Sequence, residues 1–164
     1  MKLKKIVLLL AVILVFSSIL AACGTDAIGK DLINYSNVQL PTIVDLEKSV
    51  SDDFASVTGK NYTDDATMAA KLKDFIIPNS DALIKKAEAI KPTTDEVNTV
   101  HGKYLAAVKT QNEAFILYLD AIEKVDAAKV QVANDKLKEA TTLSDKYNVA
   151  VKALGADHGV EFKK

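Results

Sequence analysis

The sequence predicts an all-α fold: an elongated, antiparallel up-down four-helix bundle with coiled-coil-like seams. Three observations carry that expectation. Alanine, lysine, leucine, glutamate and aspartate dominate from Asp64 onward, and most of these residue types favour a helix. Only three prolines and six glycines punctuate the 164 residues. Apolar residues recur at spacings of three and four rather than in strict alternation, which is the period of a helical face and not of a strand.

The elements follow in order. A first stripe runs through Ile28, Leu32, Tyr35, Gln39, Ile43, Leu46, Val50, Phe54 and Val57, is interrupted near Pro41 and closes at Gly59. One bent helix, or two short pieces joined at Leu40-Pro41, satisfies it. A second stripe begins after the cap cluster Thr63-Asp64-Asp65 and follows Met68, Leu72, Phe75, Ile76, Asn79, Leu83, Ala87 and Ile90. Pro78 inside it predicts a kink or local break. The third starts just past Pro92, with capping side chains expected from Thr94-Asp95-Glu96. Its seam keeps heptad spacing through Val97, His101, Tyr104, Val108, Gln111, Phe115, Tyr118, Ile122 and Val125. The fourth runs through Val130, Ala133, Leu137, Ala140, Ser144, Tyr147, Val151 and Leu154, with Gly155 expected as its left-handed terminator.

The connections Thr58 to Thr63, Lys91 to Asp95 and Lys124 to Ala127 are short, which makes consecutive helices antiparallel neighbours. Helices of about 25 to 30 residues give a rod about 40 Å long. Alternatively, the third and fourth segments run on as one helix across Val125-Asp126 and the bundle closes between chains. A monomeric bundle is preferred, because the first two stripes supply enough apolar surface to close it within one chain.

Ahead of these elements, Lys2, Lys4 and Lys5 precede an apolar run from Ile6 to Phe16. With Ile19 to Ala22 the run approaches the roughly 18 to 20 residues that span a bilayer. Its end decides otherwise. Leu20-Ala21-Ala22-Cys23 resembles the lipobox of bacterial lipoprotein signal peptides, in which small residues fit the signal peptidase and the cysteine thiol receives a diacylglycerol. The resemblance implies that residues 1–22 are removed, 23–30 are a lipidated cysteine and short tether, and 31–164 are the bundle. It places the protein on the extracellular face of the cell membrane. Cys23 is the one cysteine of the chain, so a disulfide framework and a thiolate metal site are both excluded. Two acyl chains hold a protein stably where one does not.

Removing residues 1–22 takes away three lysines and no acid, leaving a side-chain charge of −4. That balance argues against nucleic acid as a partner and against an electrostatic grip on anionic lipid, both of which need clustered positive charge. All 21 basic residues are lysine, so bidentate guanidinium recognition is absent. The same bias fits an AT-rich, low-GC Gram-positive source.

Catalytic and metal chemistry finds no pattern. The two histidines, His101 and His158, have no acid three residues before them and form no His-x-x-x-His pair, as a di-iron or zinc site requires. There is no G-x-S-x-G elbow, glycine-rich phosphate loop or EF-hand loop. Asp52-Asp53 and Asp64-Asp65 read as acids that cap helix ends or stay solvated. No catalytic residue, metal or cofactor is expected beyond the lipid on Cys23.

Asn79, His101, Gln111 and Ser144 fall at seam positions where apolar side chains belong. They read as a buried polar layer whose members hydrogen-bond one another or a backbone carbonyl inside the bundle and set its register, although His101 and Gln111, ten residues apart on one helix, belong to different levels of it. The competing reading has them line a small ligand cavity. Tyr104, Tyr118, Tyr147 and Phe115 are expected in the core.

Taken whole, the chain resembles the small helical-bundle lipoproteins of Firmicutes, with Leu20-Ala21-Ala22-Cys23 as the specific part of the match. The resemblance carries over no functional residue. It implies a non-enzymatic interaction or scaffold module at the cell envelope, with another envelope protein as partner. The alternative is a small-ligand-binding lipoprotein with its site inside the bundle.

Overall fold

A computed structural model describes residues 25–162 and the backbone of 19–21. Cys23 and Ala22 lie outside the described residues, as does any direct view of lipidation. Among the described residues the chain is mainly helical, with short connections and two strands of three residues, β1 (Ile19–Ala21) and β2 (Val160–Phe162). These pair antiparallel, with Ala21 opposite Val160 and Ile19 opposite Phe162. Among the described residues, no helix is long and apolar enough to cross a membrane.

The first stripe becomes α1 (Ala27–Asn34), a π-helical turn (Tyr35–Gln39), a 3-10 turn (Leu40–Thr42) and α2 (Val44–Ser56). It begins before the expected boundary at residue 31, because the Asp26 carboxylate accepts the Gly29 N–H at 2.9 Å and caps α1. The break falls at Leu40-Pro41 as expected. Helix α2 stops at Ser56, where the Val57 N–H bonds the Phe54 carbonyl, and Gly59, at φ +58, opens the 3-10 turn Gly59–Asn61 beyond it rather than ending the helix.

The second stripe becomes α3 (Asp65–Lys71), a π-helical turn (Leu72–Ile76) and α4 (Ile77–Ala89). Asp64 caps it by accepting the Thr67 N–H at 2.8 Å. Pro78 has no N–H, and its ring would press on the carbonyl one turn back. The chain widens in the turn just before it, where the Ile77 N–H reaches back to the Leu72 carbonyl. That extra residue rotates the face, so Leu72 and Ile76 are buried while Phe75, expected on the stripe, is 50% exposed. Its ring lies 4.5 Å beneath the Lys71 ammonium.

Helix α5 (Asp95–Glu123) starts where expected, but the residues leading into it are held from elsewhere. Thr94 caps nothing with its own side chain. Instead the Asp31 carboxylate of α1 accepts from the Thr93 N–H, the Thr94 N–H and the Thr94 hydroxyl at 2.8 to 2.9 Å. Asp31 is 5% exposed. Burial alone would raise its pKa, yet the combined hydrogen bonds from Thr94 and Thr93 hold it below the usual value.

The chain reverses at Lys124–Asp126, so α5 and α6 (Ala127–Asp157) are not one continuous helix. The Asp126 N–H bonds the Ala121 carbonyl and the Val125 N–H bonds the Ile122 carbonyl, the paired pattern of a Schellman ending. Asp126 then caps α6 by accepting from Ala128 and Lys129. Partners along the hairpin run in opposite directions: Lys136 pairs with Glu113 at 3.1 Å and the Tyr118 hydroxyl donates to Asn134 at 2.6 Å. Gly155 does not end α6. It lies inside the helix, where a Cβ would stand 2.4 Å from the Phe162 ring, and Gly159, at φ +66, takes the left-handed role.

The core divides into two clusters. One holds Leu32, Ile43, Leu83, Val97, Val151 and Val160. The other holds Val50, Phe54, Leu72, Phe115, Tyr118 and Leu137, with the Phe54 and Phe115 rings 4.9 Å apart.

Val125 occupies the left-handed position of the hairpin turn at φ +53, 68% exposed. A β-branched residue is strained there by about 1 to 2 kcal/mol, and glycine is not. Val125→Gly is therefore expected to raise stability by about 1 kcal/mol, read as a higher urea midpoint at unchanged slope.

Candidate functional site

The most unusual chemistry of the molecule lies in its interior. Tyr35 opens the first π-helical turn, Glu47 sits on α2, His101 and Tyr104 lie one turn apart on α5, and Tyr147 comes from α6. All five side chains are buried. His101 Nε2 lies 2.9 Å from the Ala87 carbonyl, which only accepts, so this nitrogen carries a hydrogen. Nδ1 of the neutral ring is then an acceptor, and the Tyr35 hydroxyl donates to it across 3.2 Å. With its hydrogen spent, the Tyr35 oxygen accepts from the Tyr147 hydroxyl at 3.4 Å. The chain of donors thus runs from Tyr147 through Tyr35 and His101 to the end of α4.

Burial keeps the imidazole neutral, holding its pKa below the ordinary histidine value despite the Ala87 carbonyl; the Lys91 charge acts in the same direction as burial. Burial likewise pushes the Tyr35 and Tyr104 phenols up, and Tyr147 up to about 12. Their rings pack around the network: Tyr104 meets Tyr147 edge-on at 5.5 Å, and Tyr35 meets His101 edge-on at the same separation.

Glu47 is the second centre. Its carboxyl, 8% exposed, accepts the Tyr104 hydroxyl at 2.6 Å. It belongs to none of the ion pairs formed by the described residues. Burial pushes its pKa up to about 7, against the Tyr104 hydrogen bond, which lowers it. A carboxyl with that environment holds its proton up to neutral pH.

The four polar seam residues do not meet. His101 belongs to the network. Ser144 is buried but bonds back to the Ala140 carbonyl at 2.9 Å in its own helix. Asn79 is half-buried and donates to the Ser49 hydroxyl at 3.2 Å. Gln111 is also half-buried, at the edge of the α5 seam. Tyr104, Tyr118, Tyr147 and Phe115 are all core residues. Asp52 and Asp53 cap nothing: they lie in the last turns of α2 and pair with Lys48 and Lys71, which offsets acids at the negative end of a helix.

Glu47 was missed although a signal existed. Ile43, Glu47, Val50 and Phe54 keep spacings of four, three and four, so the seam passes through Glu47 while Leu46 is only half-buried. Asp31 carried no such signal, since the threonines it binds lie more than 60 residues away.

On the outside, an open groove of about 580 Å³ lies between the Val38–Thr42 stretch and the end of α4, flanked by Lys86 and Lys91. The Gln39 amide spans it, donating to the Lys91 carbonyl at 3.4 Å, while its oxygen is buried without a partner. Among the described residues, no cluster of three or more His, Cys, Asp or Glu side chains is placed to hold a metal. Comparison with protein-family models, with curated proteins and with solved structures finds no match to this chain.

The raised pKa of Glu47 has a defined consequence. The folded chain keeps its proton to about 7 and the unfolded chain releases it near 4.5, so this group's stabilisation is complete below 4.5 and declines as pH rises towards 7. Glu47→Gln, which keeps the acceptor oxygen without the charge, is expected to flatten that decline and to be the more stable protein at pH 8, read as Tm against pH. In the same network, His101→Leu alone is expected to cost about 1 to 3 kcal/mol by stranding the Tyr35 hydroxyl and uncovering a carbonyl. Adding Tyr35→Phe and Tyr147→Phe should cost less than the sum of the three single changes in urea denaturation, because the groups left unpaired are removed together.

Proposed function

We propose that this chain is a lipid-anchored lipoprotein on the extracellular face of a bacterial membrane, whose folded part is a non-enzymatic interaction or scaffold module. The observation that carries the reading is Leu20-Ala21-Ala22-Cys23 at the end of a lysine-headed apolar run. The folded part is an antiparallel up-down four-helix bundle: cross-segment partners such as Lys71 with Asp53, Lys109 with Glu88 and Lys136 with Glu113 support that order.

Three features favour a scaffold over a catalyst. The buried hydroxyls, imidazole and carboxyl are engaged with one another or with backbone, so they hold helices together. The nucleophile-and-base pairing of a hydrolase would need a serine beside His101, and its partners are tyrosines and a carbonyl. The outer face of the α5–α6 hairpin presents Ile116 and Val132, each about half exposed, one helical turn beyond the Glu113–Lys136 pair. An apolar pair beside charged neighbours suits contact with another envelope protein. A second reading, a small-ligand-binding lipoprotein, draws on the groove beside Gln39, whose buried amide oxygen has no donor.

Cys23→Ser removes the acceptor thiol. The precursor is expected to accumulate uncleaved and unlabelled by radioactive palmitate in cells, while the unsubstituted protein is processed and labelled. Normal processing and membrane retention of the variant would end the lipoprotein reading.

A further inference from the structure

We infer that the bundle stands end-on on the bilayer, with Thr25, Asp26 and His158–Phe162 at the lipid headgroups and the Gly59–Asn61 and Lys124–Asp126 turns pointing outward. This rests on the lipoprotein reading and adds an orientation to it. Helix α1 begins at Ala27, so the tether after position 23 is shorter than the stretch to Lys30 that the sequence suggests. Thr25, His158 and Val160 converge on Gly29: a Cβ there would stand 3.2 Å from the Thr25 Cβ, 2.8 Å from the His158 carbonyl and 3.3 Å from a Val160 methyl. The His158 ring closes the same joint, with Nδ1 2.8 Å from an Asp26 carboxylate oxygen.

On the other side of position 23, Ala21 is paired opposite Val160. Residues 21 and 25 are thus both held beside β2. Two residues of chain reach at most about 7 Å, so a lipid on Cys23 ties the membrane to this end and to no other part of the molecule. The strand pairing itself belongs to the uncut chain, because cleavage before Cys23 removes β1; the Thr25 and Asp26 contacts remain in the processed protein.

From this end α5, whose start is held by Asp31 of α1, runs 29 residues away, about 43 Å at 1.5 Å per residue. The Gly59 and Val125 turns share the far end, since Val57, Tyr62, Ile122 and Val130 pack in one cluster. The flanks give the rod no reason to lie down. A polybasic surface adheres to an anionic leaflet, whereas the processed chain carries −4, and flank lysines such as Lys71, Lys109 and Lys136 are paired with acids. One anchor at one end and flanks whose lysines are paired with acids leave the long axis along the membrane normal.

The test uses the lipidated protein in vesicles of phosphatidylethanolamine and phosphatidylglycerol that contain an energy-accepting lipid. The Cys23 thiol is consumed by lipid, so Asp157→Cys or Lys60→Cys each supplies one site for a donor dye at an exposed position. Transfer to the lipid acceptor is expected to be several-fold stronger from position 157 than from position 60. Equal transfer from both means a rod lying flat, and stronger transfer from position 60 means an inverted one; either result overturns the inference while leaving the anchor intact. Protein that fails to float with the vesicles overturns the anchor itself, and the orientation with it.

Discussion

The hydrogen-bond chain from Tyr147 through Tyr35 and His101 to the Ala87 carbonyl links all four long helical stretches at one level of the core. Each of its groups is out of reach of water. A lost partner there costs the full desolvation of what remains, so the register of every segment is tied to the others. Apolar packing alone tolerates a helix sliding by a turn. A tyrosine hydroxyl that must meet an imidazole nitrogen does not. The direction of each bond follows from the Ala87 carbonyl, whose inability to donate decides the tautomer of His101 and, through it, the orientation of both tyrosine hydroxyls.

Local irregularities serve that register. The π-helical turn at Tyr35–Gln39 and the short turn through Pro41 re-aim the first stretch between its two halves, and wide turns of this kind often accompany specialised positions. Tyr35 is directed at His101 from the first half, and Glu47 at Tyr104 from the second. The opposite pole of the molecule is simpler, an aromatic cluster of Phe54, Phe115 and Tyr118. The molecule therefore has a polar, register-determining half on the side of the Asp26–His158 contact and an apolar half near its two far turns.

For function, the division of polarity matters more than its amount. Tyr35, His101, Tyr147, Tyr104 and Glu47 are turned inward and matched to one another or to backbone, while the surface offers paired lysines and acids, exposed Ile116 and Val132, and a groove beside Gln39. Exposed ion pairs contribute little stability, so the surface is free to vary while the interior keeps the shape. Glu47 adds a dependence on pH, since its charge is admitted to the core only at the expense of stability.

What the sequence by itself determined is local. Helical stripes follow from a period of 3.6, and the Asp64 cap acts on a residue within one turn. Such features involve neighbours in the chain, so the chain displays them. Tertiary structure decided the rest. The Thr93-Thr94 approach to α5 is held by Asp31 from α1, Phe75 is turned out by the wide turn ahead of Pro78, and position 155 has room only for glycine because the Phe162 ring folds back onto it. Glu47 is buried because its stretch packs beside Tyr104, 57 residues later. Each outcome depends on which distant group arrives to satisfy a donor or fill a space, and periodicity along one helix carries no record of what lies across from it.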